Sequence, residues 1–390
     1  MCDVVIAPRR TYRDDVMQRK ATTADTRLAE GVPELVERIR SEIEAAPEQR
    51  ITFARFMDVV LTEPGLGYYA TSERRPTREG DFLTAPELHP FFGRCIGRQL
   101  DEVWQRLERP DPFTVLEYGA GRGMLHDSVL AGLGAEGSPL ANVMDWVSVD
   151  LPERSRVVPA QPFVGAVLAN EYLDALPVHR LQRVGEETME HWVTWQDGWF
   201  ATTTGPLSDA SLADPLTEVD VTLAEDQIAD VSPAWAAFVR EASQHLQQGL
   251  LLIIDYGHPA GELYGPRRMA GSLLTYRGHE VGGDPFQAVG RQDLTAHVDL
   301  TAVERAAETV GLTVMGSTSQ AEFLVGLGLG ELLTQLGREP GTDPTAYAEA
   351  RAAVARFLDP RHLGGFRVLG FGRRMEAEPP LRGFSFRMTR

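Results

Sequence analysis

Residues 115–123 read VLEYGAGRG, an apolar run that ends in an acidic residue and three alternating glycines. The apolar run is typical of a buried strand, and the residues from Met124 onward have the pattern of a helix. Glycines at such a turn reach φ angles that other residues avoid and let a ligand approach the backbone closely. Free N–H groups at the helix N-terminus favour the same kind of ligand. The turn therefore predicts a nucleotide-type cofactor, with a tight turn that binds nothing as the alternative.

The glycine spacing and the acidic residue narrow the choice of cofactor. Dinucleotide sites favour G-x-G-x-x-G, whereas Gly119, Gly121 and Gly123 are spaced G-x-G-x-G. Glu117, at the end of the strand, would repel a pyrophosphate but would suit the ammonium group of S-adenosylmethionine, directly or through water. Because the turn lacks the G-x-G-x-x-G spacing, a nicotinamide-dependent oxidoreductase is also disfavoured.

Strand and helix patterns alternate from residue 113 onward. Residues 113–117, 163–169 and 250–255 are apolar runs with the length of buried strands. A helix is predicted over 232–248, ended by Gly249. This alternation indicates an α/β fold with a Rossmann-like, mainly parallel sheet and helices on both faces.

The rest of the chain divides by composition. Residues 1–30 are polar and aperiodic and predict a flexible arm. Residues 31–110 are helical and loop-rich, without an evident strand, and predict a helical cap with a loop that covers the cofactor. Within the core, 111–390, antiparallel strand patterns and a polar stretch predict an insertion near 185–230. Residues 256–298 are rich in glycine and proline and too long for a passive connector, so they predict an active-site loop.

Composition excludes several classes of protein. The 390 residues are 43% hydrophobic, which is enough to build a large core and excludes a mainly disordered chain. A net charge of −18 argues against nucleic-acid binding. Two cysteines exclude a disulfide framework, and no histidine has metal-type partners at a useful spacing, so no metal site is expected. No apolar run is long enough to span a membrane, and a cytoplasmic location is expected.

Further polar motifs follow the predicted strands. Residues 169–177 read ANEYLDALP, and in open parallel sheets ligands bind beyond the carboxyl ends of the strands. Two carboxylates there could bind a cation or accept a proton. Helix capping by Asn170, with solvated acids beside it, is the alternative. The motif DYGH at 255–258 also lies at the end of a strand pattern. A further motif, GRQDLTAHVD at 290–299, contains Asp293 and Asp299, which could simply cap the next helix.

These motifs together resemble the MidA family of class I S-adenosylmethionine-dependent methyltransferases. The matching segments occur in family order over roughly residues 33–372, and they are ITFARFM at 51–57, GYY at 67–69, GDFLTAPE at 80–87, the glycine turn, NEYLDALPV at 170–178, DYGH and DLTAHVD at 293–299. The family includes a mitochondrial assembly factor that methylates an arginine on a subunit of respiratory complex I. The glycine turn alone would not be specific for this family, but the whole set of motifs is.

The resemblance implies roles for individual residues. Thr84 and Pro86 are expected to bind S-adenosylmethionine from the covering loop. The residues expected at the methionine end of the cofactor are Glu117, Gly119, Gly121 and Gly123. Asn170 is also expected to bind the cofactor. Glu171 and Asp174 are expected to face the methyl acceptor as catalytic residues. An arginine acceptor needs carboxylates that orient its guanidinium group.

One part of the chain departs from the usual pattern. Methyltransferases of this class place an acidic residue at the end of the second strand, where it binds the ribose, and a helix and a strand follow before the Asn-Glu motif. Here only about 20 residues separate Asp150 from Asn170. Either Asp150 is the ribose ligand and the following helix is lost, or the second strand itself is missing.

The preferred function is methylation of a protein side chain, most plausibly arginine. The alternatives are O- or N-methylation of a small molecule, and a non-catalytic assembly or binding factor with a degenerate cofactor site. The predicted partner is accordingly a protein substrate or a small-molecule acceptor. The oligomeric state stays open, with a homodimer as one option.

Overall fold

A computed structural model describes residues 27–71, 84–151, 155–278 and 280–388. Most of the predicted N-terminal arm and residues 80–83 of the GDFLTAPE motif lie outside these residues.

The α-helices vary from single turns to sixteen residues. In chain order they are α1 (Pro33–Ala45), α2 (Phe53–Thr62), α3 (Ala85–Leu88), α4 (Phe91–Arg106), α5 (Met124–Ala135), α6 (Leu140–Val143), α7 (Asp214–Thr217), α8 (Pro233–His245), α9 (Ala260–Leu263), α10 (Leu300–Thr309), α11 (Gln320–Gly326), α12 (Leu329–Arg338), α13 (Pro344–Leu358) and α14 (Arg382–Ser385).

The strands form several sheets. In chain order they are β1 (Arg50–Thr52), β2 (Phe113–Tyr118), β3 (Met144–Val149), β4 (Phe163–Asn170), β5 (His179–Val184), β6 (Glu187–Gln196), β7 (Trp199–Gly205), β8 (Ile228–Val231), β9 (Leu246–Asp255), β10 (Gly257–His258), β11 (Leu274–Arg277), β12 (Glu280–Gly282), β13 (Asp293–Thr295), β14 (Val298–Asp299), β15 (Thr313–Ser319) and β16 (Arg367–Arg373).

The central sheet has six strands in the order β15-β16-β9-β4-β2-β3. Strands β3, β2, β4 and β9 are parallel, whereas β16 runs antiparallel to both of its neighbours. The sheet is therefore mixed, with its antiparallel strands at one side. Because the four parallel strands end at the same edge, the polar residues that follow them come together there.

Helices cover both faces of this sheet, so its central strands β2, β4 and β9 are rich in apolar residues. All six residues of β2 are buried. Val115 belongs to the core shared with α4 and α5, and the next residue, Leu116, belongs to the core shared with α8 and α10. Strands buried on both faces need apolar residues at successive positions, which accounts for the continuous run in the sequence.

A second, antiparallel sheet contains the insertion and part of the N-terminal segment. Its order is β1-β6-β5-β8, with β7 also paired to β6. The sequence of residues 31–110 showed no evident strand, but β1 is one, with Ile51 aligned with Val193 of β6. Three residues are too few for a periodic pattern, so only this long-range pairing defines the strand. The pairing joins the N-terminal segment to the insertion.

The prediction of a helix over 232–248 was wrong at its C-terminal end. Helix α8 ends at His245, and β9 begins at Leu246, which is 1% exposed and pairs with Phe163. Gly249 does not end a helix but lies inside β9, aligned with Gly165 of β4. Tertiary pairing thus overrides a local helix signal at this position.

Residues 256–298 contain secondary structure rather than a continuous loop. Strands β11, β12 and β13 form a small antiparallel sheet, and β10 pairs in parallel with β14. Within the described ranges, no helix has both the length and the apolar character that crossing a bilayer requires.

Candidate active site

A cavity of about 340 Å³ lies at the carboxyl ends of β2, β3 and β4. Nine of the ten residues predicted for the site line it: Thr84, Pro86, Glu117, Gly119, Gly121, Asp150, Asn170, Glu171 and Asp174. Gly123 does not line the cavity but forms the N-cap of α5 with a φ of 76°. The edge of the sheet thus brings together residues from the covering segment, the glycine turn and the Asn-Glu motif.

The glycine turn leaves open space beside its middle residue. Gly119 and Gly121 have φ angles of +69° and +53°, in the left-handed region that glycine accepts most easily. A Cβ on Gly119 would lie 2.9 Å from Cδ2 of Tyr172, so that position is closed by packing. A Cβ on Gly121 would meet nothing nearer than an oxygen at 3.9 Å. Gly121 lines the cavity, and the free space beside it can admit a ligand.

Asp150 follows directly after β3 and contacts the glycine turn. Its Oδ2 accepts the backbone N–H of Gly121 at 2.7 Å, and its Oδ1 accepts that of Leu151 at 2.7 Å. Because β3 pairs in parallel with β2, the second strand is present. Residues 155–162 contain neither helix nor strand, so the described residues between β3 and β4 do not form the helix and strand that usually follow.

Glu117 is the one acidic residue of β2 and is only 4% exposed. Its Oε2 accepts the indole N–H of Trp146 at 2.9 Å. Burial disfavours its charge and raises the pKa of Glu117 to about 7, against the opposing effect of the Trp146 hydrogen bond; Asp150 and Asp127 raise it further. A cationic ligand would favour the ionised carboxylate at this position.

Glu171 adopts an unusual backbone conformation immediately after β4. Its φ is 50°, and its N–H donates to the Ile254 carbonyl at 2.8 Å. Its Oε1 accepts from the N–H of Ala85 at 3.0 Å and from the amide of Asn170 at 3.1 Å. Non-glycine residues held at positive φ concentrate at functional sites. The strained backbone aims this carboxylate at the cavity.

The second oxygen of Glu171 makes the carboxylate chemically distinctive. Oε2 is shielded from solvent and has no hydrogen-bond partner among the described residues. Burial raises the pKa of Glu171 to about 8, and the nearby charges of Asp174 and Glu87 act in the same direction. A cationic group entering the cavity would satisfy this oxygen and favour its negative charge.

Asp174 is positioned by a buried aspartate at the end of β9. Asp255 is 1% exposed, and its Oδ2 accepts the N–H groups of Leu173 at 2.8 Å and Asp174 at 3.2 Å. Its Oδ1 accepts the N–H of Tyr256 at 2.8 Å. Burial raises the pKa of Asp174 to about 6, with a hydrogen bond from Tyr256 acting against the shift. Asp255 therefore fixes the turn that carries Asp174.

Several residues that line the cavity were not predicted as site residues. They include Tyr69, Tyr256, Tyr276, Asp293 and Thr295, together with Glu87 of α3. Tyr69, Tyr256 and Asp293 do lie within the quoted motifs, but Asp293 was also open to interpretation as a helix cap. It does not cap α10, since the N-cap of that helix is Asp299. Tyr276 lies in no motif, and nothing in its local sequence indicates a role.

Acidic side chains dominate the charge of the cavity. Among the residues that the structure describes, the lining contains seven of them and one arginine, Arg122. The acidic residues are Asp58, Glu87, Glu117, Asp150, Glu171, Asp174 and Asp293. A partly buried cavity of this composition favours cations and disfavours phosphate groups. Among the described residues no group of three or more histidine, cysteine or acidic side chains could hold a metal ion.

The sequence matches the profile of the Methyltransf_28 family over residues 95–161 and 138–318. That family is described as "Putative S-adenosyl-L-methionine-dependent methyltransferase". The chain belongs to this family. The cofactor named in this description is S-adenosylmethionine, which the resemblance to the MidA family also implied.

A solved structure from Burkholderia thailandensis, described as a "likely methyl transferase" bound to S-adenosyl-homocysteine, is similar over nearly the whole chain. It has a TM-score of 0.81 and 31% sequence identity, and the match covers 92% of this chain and 96% of that one. The similar family member contains the demethylated cofactor, which agrees with the cofactor predicted from the glycine turn.

Two curated relatives are mitochondrial protein arginine methyltransferases. The Drosophila melanogaster NDUFAF7 homologue is 28% identical, with 89% of this chain and 91% of the relative covered. Human NDUFAF7 is 26% identical, with 80% and 78% covered.

The residues of the cavity fit S-adenosylmethionine, which carries an ammonium and a sulfonium group. Gly121 provides open space at the turn, and Glu117 provides a buried carboxylate next to it. Asp150 lies at the end of the second strand, where ribose hydroxyls are usually bound. The positive charges of the cofactor match the acidic lining.

Proposed function

We propose that this family member is an enzyme that methylates the guanidinium group of a protein arginine. The observation that carries the proposal is the pair of buried carboxylates, Glu171 and Asp174, in a cavity lined by seven acidic residues. A guanidinium group is a planar cation with N–H donors, and carboxylates are its preferred partners.

The cofactor part of the proposal assigns one end of the cavity to the methionine moiety. Glu117 binds the ammonium group, the turn around Gly121 admits the chain of the cofactor, and Asp150 binds the ribose. When bound, S-adenosylmethionine supplies an activated methyl group; the acceptor nitrogen gains the methyl and loses one proton, and S-adenosylhomocysteine remains.

The acceptor part assigns two tasks to the carboxylates. Glu171 and Asp174 orient the guanidinium so that one nitrogen faces the methyl group, because alignment is the main contribution an enzyme can make to such a transfer. The raised pKa of Glu171, about 8, makes it a stronger base than an ordinary carboxylate. It is therefore suited to accept the proton that the methylated nitrogen releases.

The choice of a protein arginine is supported by the relatives and by the charge of the site. The curated relatives are named protein arginine methyltransferases, at 26–28% identity. A neutral small-molecule acceptor would not explain why carboxylates surround the acceptor end of the cavity, since each buried carboxylate costs free energy without a cationic partner.

The proposal can be tested with S-adenosylmethionine that carries a tritiated methyl group. The full-length protein is incubated with an extract of the cells that produce it, and macromolecules are separated from small molecules. Labelled protein is hydrolysed to amino acids, and the label is identified by chromatography. Glu171→Gln serves as the catalytic control and Gly121→Val as the cofactor-binding control.

Label in methylated arginine that disappears with both variants supports the proposal. Label only in small molecules would refute the protein acceptor and favour the small-molecule alternative. Weak or absent S-adenosylmethionine binding, together with no transfer, would favour the non-catalytic alternative, whose cofactor site is degenerate. Each result is thus assigned to one of the three functions considered from the sequence.

A further inference from the structure

Three tyrosines and an aspartate from separate parts of the chain line the cavity beside Asp174. Tyr69 follows α2, Tyr256 follows β9, Tyr276 lies on β11 and Asp293 begins β13. The first and the last are 224 positions apart, yet the hydroxyl of Tyr69 donates to Oδ1 of Asp293 at 2.7 Å. The fold therefore brings three motif residues, Tyr69, Tyr256 and Asp293, together with Tyr276, which lies in no motif.

The charge of Asp174 influences all three tyrosines that line the cavity. Burial raises the pKa of Tyr69, Tyr256 and Tyr276, and the charge of Asp174 raises it further in each of the three. Asp293 has the same effect on Tyr69 and Tyr276. The three phenols consequently stay neutral at physiological pH, next to two aspartates.

We infer that Tyr69, Tyr256 and Tyr276, with Asp174 and Asp293, form a cage that binds the delocalised cation of an arginine side chain. This inference deepens the proposed function and rests on it. It assigns the choice of the acceptor to Asp174 of the Asn-Glu motif together with four residues that lie outside that motif.

The cage explains a preference for arginine over lysine that carboxylates alone do not provide. A carboxylate pairs with the ammonium of lysine as well as with a guanidinium. Aromatic side chains attract cations through their π electrons, and they favour arginine, whose planar group stacks on rings and is more weakly hydrated than an ammonium. Removing water from lysine therefore costs more in an enclosed, ring-lined site.

The two aspartates have different roles in this arrangement. Asp174 is fixed by the turn that Asp255 holds, and it reaches the guanidinium as a charged partner. Asp293 is held by Tyr69, which links the N-terminal segment to the small sheet of residues 274–295. The hydrogen bond orients both the ring of Tyr69 and the carboxylate of Asp293 toward one ligand.

The test measures binding of two matched probes to the full-length protein saturated with S-adenosylhomocysteine. The probes are N-acetyl-arginine-methylamide and N-acetyl-lysine-methylamide, each titrated by NMR. We expect the arginine probe to bind at least tenfold more tightly. Asp293→Asn should weaken its binding at least tenfold, because one of the two charges is lost.

Substitutions of Tyr276 separate the ring from its hydroxyl. Tyr276→Phe keeps an aromatic ring, so the affinity for the arginine probe should stay within threefold of wild type. Tyr276→Leu keeps apolar bulk but removes the ring, and it should weaken binding at least tenfold. Tyr347→Leu, on α13 and away from the cavity, is the matched control and should change nothing. In every variant the affinity for S-adenosylhomocysteine reports that the site is folded.

Two results would overturn the cage. One is an arginine-probe affinity that Tyr276→Leu and Asp293→Asn leave unchanged while cofactor binding is intact. The other is equal binding of the arginine and lysine probes. Binding of the arginine probe without formation of methylarginine would refute the proposed function but leave the cage standing. Methylarginine formation that neither Tyr276→Leu nor Asp293→Asn reduces would refute the cage but leave the proposed function standing.

Discussion

The backbone N–H of Gly121 donates to Oδ2 of Asp150 at 2.7 Å and so ties the turn after β2 to the end of β3. A second bond acts in parallel, from the N–H of Gly119 to the carbonyl of Val149 at 2.8 Å. The two neighbouring strand ends therefore form one unit. A change at either residue should affect the shape of the cofactor end of the cavity.

Gly121→Val should abolish binding of S-adenosylhomocysteine. The added side chain would occupy open space at a residue that lines the cavity, and the φ of +53° at this position is strained for any β-branched residue. Binding is measured by calorimetry, and the melting temperature reports the cost of the strain.

Gly137→Val is the matched control for this variant. Gly137 has a φ of +66° and also has open space beside it, but it does not line the cavity. The two variants should lose similar stability, while only Gly121→Val loses the cofactor. Binding retained by folded Gly121→Val would place the cofactor elsewhere.

Asp150→Ala should weaken S-adenosylhomocysteine binding by about 1–3 kcal/mol, the scale of a lost charged hydrogen bond. Part of this loss has a structural origin, because Asp150 also holds the N–H of Gly121. Asp145→Ala changes an exposed acidic residue of β3, the strand that Asp150 follows, and serves as the control in calorimetry. Wild-type affinity in Asp150→Ala would mean that Asp150 is only structural.

The parts of the fold that could be predicted from the sequence depend on local signals. The strand over 113–117, the helix from Met124 and the glycines between them follow from apolar runs and glycine spacing, and the structure contains them as β2, the turn and α5. Asp150 was ambiguous because the segment between it and the next strand is short. The parallel pairing of β3 with β2 shows that the second strand is present, and the binding of ribose by Asp150 stays a prediction.

The parts that could not be predicted depend on contacts between distant residues. The Tyr69–Asp293 hydrogen bond joins segments whose proximity only the folded sheet creates. Gly249 resembles a helix end until β9 is aligned with β4. The raised pKa of Glu171 arises from burial among acids of other segments, and no local pattern indicates it.

Binding of S-adenosylhomocysteine should depend on pH through Glu117. Burial raises the pKa of Glu117 to about 7, so below pH 7 the carboxyl group holds a proton that a bound ammonium group would displace. Affinity should fall as the pH decreases from 7 to 5.5, by at most about tenfold per unit. Glu117→Gln should bind more weakly at pH 7, and its deficit should shrink toward pH 5.5.

Trp146→Phe tests the same assignment from the other side. The substitution removes the indole N–H that donates to Oε2 of Glu117, which raises the pKa of the carboxyl further. The decline in affinity should therefore begin at a higher pH than in wild type. Identical pH profiles in wild type and Glu117→Gln would exclude Glu117 as the partner of the ammonium group.

Glu171→Gln should leave the affinity for S-adenosylmethionine within threefold of wild type, under about 1 kcal/mol. It should reduce methyl transfer at least tenfold, which corresponds to about 1.4 kcal/mol of barrier. The reason is that glutamine keeps the oxygen that accepts the N–H of Ala85 but loses the charge and the basicity. Transfer is measured with the acceptor that the tritium assay identifies.

Stability gives an independent measurement on the same variant. The folded pKa of Glu171 is raised to about 8 from 4.5, so between these values the folded state binds more protons than the unfolded state. The wild-type free energy of unfolding then decreases through this group as the pH rises from 4.5 to 8. Glu171→Gln removes that decrease, and the variant should gain stability relative to wild type over this window.

A purely structural role makes different predictions. If Glu171 only holds the N-terminus of α3, the variant loses about 1 kcal/mol or less of stability and retains full turnover per folded molecule. Glu304→Gln is the control, because burial also raises the pKa of Glu304 but this residue does not line the cavity. Its turnover should equal that of wild type. Full activity of folded Glu171→Gln would remove Glu171 from catalysis and leave Asp174 as the remaining candidate for the base.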